Sequence, residues 1–282
     1  MKIRILTLNL HSWQENEQDR KLSLIADAVI KEEADFIAFQ ESAQNRNSPY
    51  ADQYRFIRTD NTSKIISDRI REKSGKNYPY IWDWAHYGFD VYEEGIALLS
   101  CHECTGHESR YISESVSRED IFSRKVFGAQ YLLNGIKINI FTVHVSWKAS
   151  PLDGRAMTEL RNLNEFVHHF ENRFRGGFSF VCGDFNVNPV SGPLMSEGYF
   201  FMTENAKYSD TYLEIHREAN THSHSEDHSS MIHAAPMDGR IDYIFRSEKN
   251  PFRTEKAEFI FTRKKYGLVS DHYGYIAEFN LD

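Results

Sequence analysis

Cysteine is scarce in this chain of 282 residues: there are three, at Cys101, Cys104 and Cys182. Three thiols cannot build a disulfide framework, which excludes a disulfide-stapled scaffold and points to a reducing compartment, the cytoplasm. Cys101-x-x-Cys104, even with His102 and His107 nearby, falls short of a zinc or redox motif. A structural zinc site wants four closely spaced ligands, and a thioredoxin-like site wants a helix start after a strand. Long hydrophobic runs are also missing. No segment is long and apolar enough to span a bilayer, and the apolar residues 3–8 are too few for a signal-peptide core, so a soluble protein without a membrane partner is expected. Basic residues are outnumbered, 33 Lys and Arg against 41 Asp and Glu, giving a formal charge of −8. That balance disfavours a sequence-independent grip on nucleic acid while leaving room for a local basic groove. No repeat, low-complexity linker or composition break divides the chain, which reads as one domain over residues 1–282.

What is present is core material, 40% hydrophobic and 14% aromatic. Residues 1–10 are apolar on both faces, as in a strand buried on both sides. Leu22, Ile25, Ala26, Val29 and Ile30 then recur at helical spacing, with Asp19 as a cap, and residues 35–41 form a second buried strand that stops at Glu41. Strand, helix, strand is a βαβ unit. Residues 42–77 read as loop with a short helix at 65–70, and the aromatic run from Tyr78 to Tyr92 reads as core strand leading into a strand at 95–100. Asn134-Gly135 joins strands at 125–133 and 137–145 as a hairpin, and the longest helix is predicted over 153–174. Further strands are expected at 179–184, 240–246, 258–262 and 273–279. Between them, residues 205–238 are loop-rich, and His216, His222, His224, His228 and His233 make that loop a candidate substrate-facing or metal-binding segment.

The polar residues that close these strands carry the chemistry. In Phe180-Val181-Cys182-Gly183-Asp184-Phe185-Asn186 an apolar run stops at Gly-Asp-x-Asn, and residues i and i+2 of an extended chain share a side, so Asp184 and Asn186 can address one ion or one phosphate. Alone, that stretch is an ordinary solvated turn. Asn9, Glu41, His144, Asp242, Asp271 and His272 also stand at strand ends. Hard cations such as Mg²⁺ or Mn²⁺ take carboxylate and amide oxygens, and histidines exchange protons near neutral pH, so the set points to cation-assisted phosphoester hydrolysis.

Thr7-Leu8-Asn9, Phe39-Gln40-Glu41, Val143-His144, Gly183-Asp184-Phe185-Asn186, Arg240-Ile241-Asp242-Tyr243-Ile244-Phe245 and Ser270-Asp271-His272 follow the order of motifs in the endonuclease/exonuclease/phosphatase superfamily, which this chain resembles over nearly its whole length. The resemblance includes the strand Glu94-Gly95-Ile96-Ala97-Leu98-Leu99-Ser100. It implies an α/β four-layer sandwich, two mixed β-sheets face to face with helices outside and the active site at one end. It implies Glu41 as chief metal ligand with Asn9 and Asp271 close by. Asp184 and Asn186 would position water, phosphate or a second ion. His272, oriented by Asp242, would be general base or phosphate partner, and His144 would stabilise the phosphate or the leaving oxygen.

His144 sets the chain apart from abasic-site repair nucleases and with the branch that holds pancreatic-type deoxyribonucleases, sphingomyelinases and small-molecule phosphatases. Leu8-x-x-His11-Ser12-Trp13-Gln14-Glu15 and Val145-Ser146-Trp147 look most like a bacterial subgroup described as RgfB-like, which includes maltose-6'-phosphate phosphatase. From that subgroup the chain departs after Trp147, at Lys148-Ala149-Ser150-Pro151. Trp13 and Trp147 would flank the site and stack on a sugar ring, or else pack in the core, while Arg124 and Lys125 would meet a phosphate. The expected activity is a phosphomonoesterase on a small phosphorylated metabolite such as a sugar phosphate. The alternatives are a nuclease or other phosphodiesterase, sphingomyelinases included, and a non-catalytic scaffold, which should have lost at least one of Glu41, Asp184, Asp242 or His272.

Overall fold

Residues 1–147, 153–189, 196–217 and 239–281 are described by a computed structural model. The Lys148–Pro151 departure and His222, His224, His228 and His233 lie outside them. In chain order the elements are β1 (Lys2–Asn9), α1 (Gln18–Glu32), β2 (Phe36–Asn45), β3 (Tyr50–Asp52), β4 (Ile57–Arg58), α2 (Thr62–Ser74), β5 (Tyr80–Gly88), β6 (Tyr92–Ser100) and β7 (Glu103–Tyr111). There follow β8 (Lys125–Leu133), β9 (Ile136–His144), α3 (Arg155–Arg173), β10 (Gly177–Asp184), α4 (Ser196–Phe200), β11 (Tyr208–Asp210), α5 (Thr211–Ile215), β12 (Asp242–Ser247), β13 (Arg253–Ile260) and β14 (Gly274–Asn280). A π-helical turn at Phe201–Asn205 follows α4.

One sheet runs β13-β14-β1-β2-β6-β5 and the other β11-β12-β10-β9-β8-β7. Each is antiparallel except for one central parallel pair, β1 with β2 and β9 with β10, crossed over by α1 and α3 respectively. Ile3, Ile5, Phe36, Ala38, Ile96 and Leu98 of the first sheet meet Ala129, Ile138, Ile140, Phe180 and Ile244 of the second. On the outer faces, Leu22, Ile25 and Val29 of α1 with Ile66 and Ile70 of α2 cover Leu6, Leu8, Ile37 and Phe39. Leu163, Phe166 and Phe170 of α3 cover Phe141, Val143 and Val181 in the same way. Helix, sheet, sheet, helix makes a four-layer α/β sandwich. Among the described residues no helix is long and apolar enough to cross a membrane.

Local expectations needed three corrections. Asp19 does not cap α1: the helix begins at Gln18 after Glu17, so Asp19 sits inside the first turn, where its charge still suits the helix dipole. Second, β7 was not legible, being a half-exposed edge strand with charged and small residues in place of alternation. Third, the second strand does not stop at Glu41 but runs to Asn45.

Between β11 and β12, Arg240 donates to both carboxylate oxygens of Asp210 at 3.1 and 2.6 Å, with both side chains nearly inaccessible. Asp210 also accepts from Tyr212 N of α5 and from the Tyr199 hydroxyl. Removing one member strands a buried charge, so Asp210→Ala should lose about 3–5 kcal/mol in urea unfolding. A loss below about 1 kcal/mol would mean that water reaches the pair.

Candidate active site

The side chains that point between the sheets change character along each strand. On β1 the inward row is Ile3, Ile5, Thr7, Asn9; on β9 it is Ile138, Ile140, Thr142, His144; on β10 it is Phe180, Cys182, Asp184. Each row is apolar at the strand's amino end and polar at its carboxyl end. Gln40 stitches the sheets where the character switches, donating to Thr142 Oγ1 at 2.9 Å and to Thr7 Oγ1 at 3.2 Å. The polar ends therefore converge at one edge of the sandwich.

Glu41 is out of phase with this pattern, because an unbroken β2 would turn it toward the helices beside Phe39. A bulge between Phe39 and Ser42 and a left-handed backbone, φ 46°, re-aim it. Ser12 holds the bulge by bonding to the Glu41 carbonyl through its hydroxyl and its N–H. Asn9 then donates Nδ2 to Glu41 Oε1 at 2.9 Å and to Asp184 Oδ2 at 3.1 Å, joining the two sheets' carboxylates. His11 N in turn donates to Asn9 Oδ1 at 3.1 Å.

Asp184 lies in register between His144 and Asp242. Its Oδ2 faces His144 Nε2 at 3.6 Å and His272 Nε2 at 3.9 Å, while Oδ1 accepts from Asn186 N at 3.0 Å. Asn186, also left-handed at φ 49°, is locked by donating Nδ2 to Val145 O. Two strained positions at one site mark an arrangement fixed by its surroundings. His272 Nδ1 is 2.8 Å from Asp242 Oδ2, and the other Asp242 oxygen is buried with no hydrogen-bond partner among the described residues.

Charge is unevenly balanced here. Burial first, and then Glu94 and Asp271, push Glu41 up to about 7 against the bond from Asn9. Burial and Asp242 likewise raise Asp184 to about 7. Burial works against a charged His272, yet Asp242, Asp184 and Asp271 carry it up to about 10. His144 goes the other way, well below the ordinary imidazole value, through burial and then the positive charges of Arg124, His86 and His272. Two histidines within 4 Å of one carboxylate oxygen thus differ in charge, one neutral and one cationic.

The sequence shows no match to any family model or curated protein. Solved structures do match. An endonuclease/exonuclease/phosphatase family protein from Leptotrichia buccalis superposes with a TM-score of 0.82 at 21% identity, over 99% of this chain and 100% of its own. The catalytic domain of human nocturnin with bound sulfate gives 0.69 at 14% identity over 100% and 95%, and truncated Caenorhabditis elegans TDP2 gives 0.66 at 14% over 99% and 98%. The fold is that of the endonuclease/exonuclease/phosphatase proteins.

Within that endonuclease/exonuclease/phosphatase fold, Asn9, Glu41, His144, Asp184, Asn186, Asp242 and His272 come together as described. Asp271 faces His11 Nδ1 at 3.7 Å on the open side of the same edge. Of the residues expected around a substrate, the two basic ones are held by the protein itself. Arg124 is 2% exposed and lies behind His144, its Nη1 3.1 Å from His144 Nδ1. Lys125 is held by Asp83 at 2.8 Å, over the Tyr111 ring. Trp13 donates its indole N–H to Ala43 O at 3.2 Å. Trp147 is 36% exposed, against Phe122 and over Arg124. Arg124 and Lys125 are therefore engaged by the protein, the first by the site's own histidine.

Three participants escaped sequence reasoning. Glu94 offers an oxygen within 4.8 Å of donor atoms of both Glu41 and His144, and it lies 3.1 Å from His86 Nε2. Burial would raise Glu94, but His86, with Arg124 and His11 behind it, holds the carboxyl below its usual range. Its signal was a charge at the head of an apolar strand beside Gly95, where a Cβ would meet Asp83 O at 2.1 Å. Glu159 of α3 is the third, accepting from Ser146 N at 2.6 Å and Ser146 Oγ at 2.7 Å, with Arg124 Nε 3.4 Å from that hydroxyl.

The donor set suits a hard divalent cation. Glu41 and Glu94 bring carboxylates together with Asp271 near enough to repel Glu41, and the burial and repulsion that raise Glu41 are what such a charge relieves.

Proposed function

We propose that the chain is a divalent-cation-dependent phosphoester hydrolase, a phosphomonoesterase acting on a small phosphorylated metabolite, foremost a sugar phosphate, with Mg²⁺ or Mn²⁺ as cofactor. The observation that carries this reading is the meeting of Glu41, Asp184, His144 and His272, from four separate parts of the chain, around one Asn9 amide and one carboxylate oxygen. Nocturnin's fold was solved with a sulfate, a tetrahedral anion shaped like a phosphoryl group. Exposed Trp147, tilted against the half-buried Phe122, offers an aromatic surface suited to a sugar face, and the formal charge of −8 disfavours a polyanionic strand. Free Cys101, Cys104 and Cys182 fit a cytoplasmic protein.

Glu41, Asn9 and Asp271 would hold the ion, with Glu94 beside them. When bound, the ion supplies Lewis-acid neutralisation of charge on the phosphoryl oxygens. Asp184, raised toward neutrality, is matched to take a proton from the attacking water, and Asn186 fixes its orientation. His272, kept cationic by Asp242, donates to a phosphoryl oxygen. His144 is set by Arg124: a guanidinium can only donate, so His144 Nδ1 must accept and the ring proton sits on Nε2, facing the reacting centre as a neutral donor.

Arg124→Met should release that tautomer, visible in the imidazole ¹⁵N shifts of His144, and lower kcat roughly 10–100-fold with little change in KM. Arg124→Lys should recover part of it. Unchanged shifts in Arg124→Met would show that Arg124 only packs. The function itself is tested by phosphate release from a panel of sugar phosphates with Mg²⁺ or Mn²⁺, run beside plasmid DNA. Release from a sugar phosphate without DNA cleavage supports the monoesterase; efficient DNA degradation with no phosphate release makes it a nuclease.

A further inference from the structure

At the opposite end of the sandwich a second donor cluster is assembled from Asp35, Cys101 and His102. Asp35 precedes β2, six residues before Glu41, so the two clusters are roughly 20 Å apart along the strand. His102 Nε2 is 2.8 Å from Asp35 Oδ1 and 3.7 Å from Cys101 Sγ, so one nitrogen faces both a carboxylate oxygen and a sulfur. All three atoms lie within 4.8 Å of one another, and among the described residues this is the one such cluster that contains a thiol.

The geometry points to a binding site for a borderline-soft divalent cation of the zinc type, distinct from the site at Glu41. Tetrahedral zinc, with Zn–S of about 2.3 Å and Zn–N of about 2.0–2.1 Å, separates its sulfur and nitrogen donors by roughly 3.6 Å and nitrogen and oxygen by roughly 3.3 Å. The observed Cys101–His102 separation of 3.7 Å matches the first edge, and the 2.8 Å contact between His102 and Asp35 has only to open by about half an ångström. The ligands are also pre-oriented. Arg4 N occupies Asp35 Oδ2 at 2.8 Å and leaves Oδ1 to the cluster. Ser100 Oγ donates to Asp35 O at 2.8 Å and accepts from His102 N at 3.1 Å, and the His102 ring packs on Phe36 at 5.3 Å. Three protein ligands leave the fourth position to water on the exposed Cys101 side. Sulfur and imidazole select zinc or cobalt over magnesium, so the two ends of the molecule discriminate between ions. A bound ion would clip the start of β2 to the β6–β7 connection, where the chain passes from one sheet to the other.

The test is Co²⁺ titration of the reduced full chain with Mg²⁺ in large excess to fill the carboxylate site. A saturable thiolate-to-cobalt charge-transfer band is expected at one equivalent, displaced by Zn²⁺, lost in Cys101→Ser and unchanged in Cys104→Ser. His102→Gln, which keeps the thiol, should raise the Co²⁺ midpoint at least tenfold and carries the test if Cys101→Ser fails to fold. Absence of the band, its survival in Cys101→Ser, or growth without saturation, meaning an adventitious ion only, each overturns the site.

Discussion

Glu41→Gln is expected to cut phosphate release about a thousandfold or more and, in the same protein, to raise stability when chelator is present. The two effects have one origin. In the cation-free protein burial, and then the nearby Glu94 and Asp271, lift the Glu41 carboxyl from the ordinary value of 4.5 to about 7. A carboxyl whose folded value lies above its unfolded value favours folding below the unfolded value. Stability then declines as pH climbs from about 4.5 to 7 and levels off above. At pH 8 the charge at this one position opposes folding on the order of 3 kcal/mol, and the amide removes that opposition while keeping the shape. Urea unfolding in EDTA should therefore rank Glu41→Gln above the parent at pH 8 and equal to it near pH 4.5. With Mg²⁺ at a hundredfold its dissociation constant the parent gains about 2.7 kcal/mol that the variant lacks, so the gap closes or reverses. If the parent's stability in EDTA did not fall between pH 5 and 8, Glu41 would be solvated and poorly placed as the chief ligand.

That trade-off depends on features with unequal visibility in the sequence. Asn9, His144 and Asp184 were legible as members of the candidate cluster because strand alternation continues unbroken to them, and the register that sets Asp184 between His144 and Asp242 follows from the pairing of β9, β10 and β12. Glu41 was legible as a residue but not as a geometry. The strand was expected to end there, whereas β2 continues to Asn45 and only a bulge turns the carboxylate inward. Bulges carry no composition signal unless a glycine marks them. Arg124 was misplaced for a different reason: an arginine at a strand start is ordinarily solvated, and burial against His144 depends on Ser146 and on Glu159, a helix away. The Cys101-x-x-Cys104 spacing drew attention to the wrong pair. The tertiary partner of Cys101 and His102 is Asp35, more than 60 residues earlier, a relation created by the sheet order alone.

The other large loss is expected at His272, and here the prediction concerns a pair. His272→Gln should lower kcat by about 10³–10⁴, and Asp242→Asn by about 10²–10⁴, since an amide cannot sustain the imidazolium that Asp242 holds at 2.8 Å. Asp242 reaches the reacting centre through His272, so the double variant should be no slower than His272→Gln by itself. The pH profile separates the partners. In the parent the rate rises as the carboxylates around Asp184 ionise, from about 7 in the cation-free protein, and falls when His272, at about 10, loses its proton. A bound divalent cation opposes protonation throughout the cluster, so both limbs move to lower pH as Mg²⁺ is raised. His272→Gln should keep the acid limb and lose the alkaline one. Breaking a buried ion pair also lowers stability, by about 3–5 kcal/mol, so each variant is assayed at a temperature where its unfolding curve shows it folded. Multiplicative losses in the double variant, or an alkaline limb that survives without His272, would assign the proton to another group, and the arrangement of two histidines with opposite charge states would have to be abandoned.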